Sequence, residues 1–257
     1  MNPLQELSAF SPDMYTFVLV LLRAGIFMSM LPVFGSKNFP MQFKIGLAVA
    51  FAALLSPIVH VDTANISLPV LVMREAALGI VLGATARAIF FAVDMGGQMI
   101  SNAMGLSIAT VFNPELGQST EVARIYGIIA MLIVLAIDGH HELISVFVQS
   151  YDWLPLGQIN VDNLILSKVV EAGSKVFIIA LKISAPVLVG MLMVNILMGF
   201  LHKAAPQVNI FFVSFPVFLA LGFLIMAMSV PVFTHFFSGQ FHEVNNEMFR
   251  ILAAARK

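Results

Sequence analysis

Residues 14–34 read MYTFVLVLLRAGIFMSMLPVF, an apolar run with an arginine, Arg23, near its middle. Both halves of that observation bear on the fold. A helix needs about 20 predominantly apolar residues to cross a bilayer. Helix is the default there, because backbone polar groups in lipid must be satisfied within the segment. An ionised side chain at the bilayer centre costs at least ~2.5–3.5 kcal/mol on insertion scales. Such a segment is therefore a membrane-type helix that turns its charge toward protein, an aqueous cavity or water above the membrane.

The same pattern recurs along the chain. Further apolar runs fall at about 41–61, 69–93, 95–112, 125–137, 143–156, 176–201 and 204–236. Arg74, Glu75, Arg87 and Asp94 interrupt or bound the third of these eight runs. Ile125–Ile137, between Arg124 and Asp138, is too short to span alone. Of the 257 residues, 60% are hydrophobic and 11% charged, against about 25% charged in an ordinary soluble domain. That composition excludes a water-soluble globular domain and a disordered chain, and the net charge of −1 leaves no basic stripe for nucleic acid. The fold class is all-α: a polytopic helical membrane protein with interrupted helices and helical hairpins. The N-terminal stretch has no Lys or Arg and carries Glu6 and Asp13, unlike a signal peptide, so the first apolar run is expected to remain in the mature protein. Arg250, Arg256 and Lys257 favour a cytoplasmic C-terminus.

Small residues supply the packing signal. Gly79 and Gly83 form a GxxxG pair, and Gly97, Ser101, Gly105 and Ala109 recur every four residues. Such ladders let helix backbones approach closely where lipid supplies no hydrophobic drive between helices. The ladder then runs into GLSIATVFNPELGQSTEVAR, residues 105–124. Asn113 before Pro114 is pushed out of the α region, Gly117 adds a flexible joint, and Ser119 or Thr120 with Glu121 can start the next helix. The result reads as a re-entrant or plug-like element with Ile108, Val111, Phe112 and Leu116 around its turn. A second break, His202-Lys203-Ala-Ala-Pro206-Gln207-Val-Asn209, separates two long apolar runs and reads as a hairpin turn.

The tests for chemistry are negative. There is no cysteine, hence no disulfide and no thiol nucleophile. No Walker A, GxGxxG or GxSxG pattern occurs. Asp138-Gly-His140-His141-Glu142 lacks the second ligand of His-Glu-x-x-His, because Ser145 stands where that histidine is needed. Neighbouring His140 and His141 are about 100° apart on a helix and are not expected to share a metal. Arg74 and Glu75 point to different sides of their helix, and Glu75 and Arg87 are more than three turns apart. No catalytic, cofactor-binding or metal-binding residue is assigned, and no cofactor is called for. The 16 Met and 23 Phe are read as core rather than pore lining, Phe112 excepted.

Three blocks in order carry a family resemblance: GLSIATVFNPELGQSTEVAR, DGHHELI followed by LPLG, and KAAPQVNIFFVSFP. Together they resemble the R subunits of the bacterial type III export gate. Glu75, Gly79, Gly83, Gly97 and Gln98, with Arg23, Pro32 and the Pro40–Ala48 segment, extend the resemblance over almost the whole chain. It implies a P-like helical part at 1–175 and a Q-like helical hairpin with a C-terminal tail at 176–257. It implies a plug over Leu106–Val122, with Leu106, Ile108, Val111, Phe112, Asn113, Pro114, Leu116 and Gly117 as gate residues. Where the family often has Asp before this Pro, the chain has Asn113, so a charge-based role there is not carried over. Gly79, Gly83, Gly97, Ser101 and Gly105 would pack helices, and Lys203, Pro206, Gln207 and Asn209 would form the hairpin break. The implied partners are P-type and Q-type gate subunits, the B-type switch subunit, the A-type export subunit, unfolded export substrates and membrane lipid, with no nucleic acid. The implied role is non-enzymatic: a structural and gating subunit passing unfolded flagellar substrates across the inner membrane within the flagellar basal body. The alternatives are a gate subunit of a virulence secretion system, or a self-sufficient small-solute transporter, which would call for inverted repeats that the sequence does not display.

Overall fold

The computed structural model describes residues 12–31, 40–59, 67–106, 121–157, 163–207 and 209–255. Among them run seven helices: α1 (Pro12–Met30), α2 (Met41–Leu55), α3 (Leu68–Ala103), α4 (Glu121–Ala136), α5 (Gly139–Trp153), α6 (Asn163–Ala204) and α7 (Ile210–Ala255). Three stretches are long and apolar enough to cross a membrane: Leu68–Ala103, Val170–Ala204 and Phe212–Ala255. Helices α4 and α5 are long enough only jointly, as a pair bent by 71° at Ile137-Asp138, the form of a broken span or a re-entrant pair. The chain is an all-α polytopic membrane protein.

Helix α3 joins what the sequence divides into two runs. Asp94 does not end it, because its carboxylate accepts a 2.7 Å hydrogen bond from Gln98 Nε2 one turn on. Gly96 and Gly97 do not end it either. Both are buried against neighbouring helices, and an added Cβ at Gly96 would lie 3.0 Å from the Ala180 carbonyl oxygen. Helix α7 likewise continues past residue 236 to Ala255, through Pro216 and Pro231. Membrane helices tolerate such prolines because neighbouring groups and local adjustments re-satisfy the freed carbonyls.

The chain divides into two compact units that do not follow its linear order. The first comprises Met1–Ala88, Asp138–Ala172 and His242–Lys257, and the second Ile89–Ile137 and Gly173–Phe241. Helices α3, α6 and α7 contribute to both.

In the first unit, the GxxxG pair of α3 finds its partner in α1. A Cβ at Gly79 would stand 3.1 Å from the Arg23 carbonyl oxygen, and one at Gly83 would stand 2.8 Å from Met30 Cβ. The two backbones can lie this close only because these positions lack side chains. Phe27 of α1 stacks on Phe147 of α5 with ring centroids 4.8 Å apart, and Phe51 of α2 meets the same ring edge-on at 6.4 Å. The last turns of α7 add Met248, Ile251, Leu252 and Ala255, all buried.

In the second unit, α6 and α7 form an antiparallel hairpin. Gly190 admits Ile225, whose Cδ1 would stand 2.5 Å from an added Cβ, while Lys182 Nζ lies 5.8 Å from the centre of the Phe236 ring. Phe233, Phe237 and Phe241, spaced four apart on α7, form a continuous aromatic row that Phe90 of α3 meets edge-on. The hairpin also carries exposed apolar side chains, among them Leu192, Leu197 and Phe200 on α6 and Phe212, Met228 and Val232 on α7. Such a surface suits lipid or neighbouring membrane helices.

Candidate functional site

The plug-like segment leaves α3 and returns into α4, and the structure describes both of its roots. Of the expected span Leu106–Val122, the structure describes Leu106 at one end and Glu121 and Val122 at the other. Ile108, Val111, Phe112, Asn113, Pro114, Leu116 and Gly117 lie outside the described residues.

At the outgoing root, α3 ends in a two-bond cap. The Leu106 N–H donates to the Ser101 carbonyl at 3.0 Å, and the Gly105 N–H to the Asn102 carbonyl at 3.1 Å. Gly105 itself has φ +77°. This is the Schellman arrangement, in which a left-handed residue satisfies the last free carbonyls and stops the helix. Gly105 therefore serves through its backbone conformation; an added Cβ would meet only Phe215, at 4.0 Å. Ser101 is buried, and its hydroxyl has no hydrogen-bond partner among the described residues.

The two roots are held against each other. A Cβ at Gly97 would run into the backbone of Ala123 in the first turn of α4. Two helix axes approach this closely only across glycine and alanine. Helix α7 closes the same corner: Gly222 accommodates Met104, whose Cε would lie 2.6 Å from an added Cβ. One turn along α4, the Tyr126 hydroxyl shares a 3.3 Å hydrogen bond with Ser229 of α7, and its ring packs edge-on against Phe233 at 4.9 Å. The segment thus leaves and re-enters a clamped frame of α3, α4 and α7.

The first unit holds a buried charge cluster that sequence spacing does not reveal. Arg23 and Glu75 are both fully buried and form an ion pair at 2.6 Å. The Arg23 guanidinium also donates to Ser150 Oγ at 3.3 Å and to the Leu154 carbonyl at 3.3 and 3.4 Å. It lies 4.2 Å from the centre of the Tyr151 ring, a cation–π contact. The other Glu75 oxygen accepts the Gly157 N–H at 3.1 Å, while Arg74 donates to the Gly157 carbonyl at 2.6 Å. Arg74 and Glu75 leave their helix in different directions, yet both reach Gly157. Gly157 has φ +87°, a conformation open to glycine without strain. The cluster ties α1, α3, α5 and the LPLG segment together. The available signal was one unmatched arginine and one unmatched glutamate, each within an apolar run. Arg87, by contrast, is exposed.

Asp138 takes φ +56° at the N-cap of α5, and the His140 and His141 rings tilt against each other with centroids 4.1 Å apart. Glu142 meets His242 of α7 at 3.2 Å. At the second break, Lys203 lies in the last turn of α6 and Pro206 in the turn that follows, while the Asn209 carbonyl accepts the Phe212 N–H at 3.2 Å in the first turn of α7. Lys203, Pro206, Gln207 and Asn209 are all exposed. His202 and Lys203 sit in the last turn of α6, where positive charge favours the helix C-terminus.

Residues 14–244 match the family model of bacterial export proteins, family 1. The chain belongs to bacterial export proteins, family 1. It is 31% identical over 241 residues to the flagellar biosynthetic protein FliR of Escherichia coli (strain K12), covering 91% of each chain. It is 31% identical over 227 residues to the FliR protein of Pectobacterium carotovorum subsp. carotovorum, covering 87% of each. The FliR protein of Bacillus subtilis (strain 168) is 30% identical over 226 residues, which cover 84% of this chain and 86% of that one. As a member of bacterial export proteins, family 1, the chain agrees with the resemblance carried by its three sequence blocks. The family match reaches into both compact units and includes all of residues 106–122.

Proposed function

We propose that this chain is the R-type subunit of a flagellar type III export gate in the inner membrane, within the basal body. There it frames and closes a pore for unfolded substrates and performs no covalent chemistry. The observation that carries the reading is the clamped corner of α3, α4 and α7, in a chain whose relatives are flagellar biosynthetic proteins along most of their length. A segment that is to close a pore and move aside needs roots that stay put, and glycine-enabled helix contact at Gly97 and Ala123 provides that. Apolar residues in such a segment can hold a channel shut by dewetting. Flagellar names among the relatives favour the flagellar branch over a virulence system.

The uncovered apolar hairpin of α6 and α7 supports the division into a P-like part, 1–175, and a Q-like hairpin, 176–257. P-type and Q-type subunits are its nearest expected neighbours, with the B-type and A-type export proteins further partners.

The test has two arms. Co-expression with P-type and Q-type subunits, followed by native mass spectrometry in detergent, should give a discrete multi-subunit particle that requires this chain. A stable particle of this chain alone would count against the gate. Deleting residues 111–116, or replacing Gly117 by Pro, should leave assembly intact and raise ion conductance. An assembled variant with an unchanged ion barrier would remove the plug assignment.

A further inference from the structure

We propose that Asp138, His140 and His141 form a binding site for a divalent ion of the zinc type at the turn between α4 and α5. One ligand atom from each of the three side chains can be chosen so that all lie within 4.8 Å of one another. Tetrahedral zinc holds nitrogen and oxygen ligands at about 2.0–2.2 Å, so ligands around one ion stand roughly 3.3–3.5 Å apart. From separations of up to 4.8 Å the groups need to draw together by roughly 1.5 Å at most. Asp138 and His141 have room to do so, since their side chains are 76% and 71% exposed and already stand 3.7 Å apart.

Two further observations point to a ligand rather than to an ordinary polar turn. Asp138 occupies the N-cap of α5, where an aspartate ordinarily accepts a backbone N–H of the first turn, yet it makes no side-chain capping hydrogen bond. It also adopts φ +56°, the one non-glycine positive φ among the described residues. Its carboxylate stands 3.7 Å from His141 Nδ1. The second observation is His140 Nδ1, which is buried and has no hydrogen-bond partner among the described residues. A ring nitrogen withdrawn from water without a partner is costly, and neutral imidazole is a common metal ligand. The two rings lie against each other, with centroids 4.1 Å apart.

The donor set selects the ion class. Two imidazoles and one carboxylate suit zinc, nickel or copper, whereas calcium and magnesium prefer oxygen ligands. Neighbouring Glu142 is engaged with His242 and is not needed as a ligand. Three protein ligands leave a position for water, and the bound ion would pin the first turn of α5. The site stands independently of the export reading, since it needs no partner subunit.

The experiment uses the full chain, purified without a polyhistidine tag together with the subunits that accompany it, and stripped with chelator. Zinc chloride alone is titrated by calorimetry, and copper(II) is followed by electron paramagnetic resonance. One zinc ion per chain is expected, with nitrogen coupling in the copper spectrum. His141→Ala and His140→Ala should each weaken zinc binding roughly tenfold or more, the range that lost metal-site interactions commonly reach. His202→Ala, at the other helix break, should change nothing. Absence of a saturable stoichiometric site would overturn the proposal. So would zinc binding by His140→Ala and His141→Ala variants equal to that of the parent chain.

Discussion

Removing one partner of the Arg23–Glu75 pair should destabilise the first unit far more than removing both. With Glu75→Gln the volume stays nearly constant, but Arg23, fully buried, keeps its charge without a counter-ion. Breaking a buried pair in this way costs about 3–5 kcal/mol, which is a factor on the order of 10² to 10⁴ in the folding equilibrium. Ser150, the Leu154 carbonyl and the Tyr151 ring remain around the guanidinium, but they are neutral and cannot replace the carboxylate. In the double variant Arg23→Met/Glu75→Leu no charge is stranded. Such apolar replacements are often neutral or stabilising by about 1–4 kcal/mol. Here the gain is offset by the Gly157 N–H, which loses its acceptor at a cost of about 1–3 kcal/mol. The double variant should therefore recover most of the loss of Glu75→Gln. Trp153, the sole tryptophan, packs against Phe249 in the same unit and reports unfolding by fluorescence during a denaturant titration in detergent. A double variant no more stable than Glu75→Gln would refute the electrostatic account and leave the shape of the side chains as what holds this site together. A Glu75→Gln cost below about 1 kcal/mol, the range of exposed pairs, would refute the burial itself.

Substitutions at Gly97, Gly105 and Tyr126, with Gly127 as a control, test the frame of the proposed plug. Gly97→Val should block the approach of α3 to Ala123 and abolish recovery of the assembled particle, while Gly127→Ala on α4, where an added Cβ meets nothing, should be recovered at parental levels. Gly105→Ala should cost roughly 1–2 kcal/mol through its left-handed φ, and Gly105→Asn less, as read by thermal denaturation of the purified protein. Tyr126→Phe loses the bond to Ser229 but keeps the edge-on contact with Phe233, so a loss of about 0.6 kcal/mol, at most ~1.7, is expected in the same assay.

Much of the architecture is legible in the sequence, because lipid permits few alternatives to helix. The GxxxG pair at Gly79 and Gly83 announces a close helix contact, and the structure supplies its partner, α1. Punctuation is less reliable. Asp94-Met-Gly-Gly looks like a break, but a local hydrogen bond and tight interhelical packing keep it helical. Gly105 looks like the third rung of a small-residue ladder, whereas its left-handed cap ends the helix. The buried ion pair was out of reach for another reason. Glu75 can be tested from sequence only against neighbours on its own helix, such as Arg74 and Arg87. Its true partner lies 52 residues away, and only tertiary packing joins them. At the histidine turn, helical spacing relates His140 to His141 within α5 but does not place Asp138, whose carboxylate stands 3.7 Å from His141 across the N-cap. Of the expected gate residues only Leu106 is among the described ones, so the roles of Ile108, Val111, Phe112, Asn113, Pro114, Leu116 and Gly117 stand as part of the proposal.

Gly157 is held by both of its backbone groups, the N–H by Glu75 and the carbonyl by Arg74. The adjacent charges thus act as a keyed socket that reads the direction of the chain. Exchanging them, Arg74→Glu with Glu75→Arg, leaves composition, net charge and hydropathy unchanged. It nevertheless sets carboxylate against carbonyl and guanidinium against N–H, and places like charge beside Arg23. A rearranged sequence that every bulk measure of the chain would call identical is one this fold cannot close around.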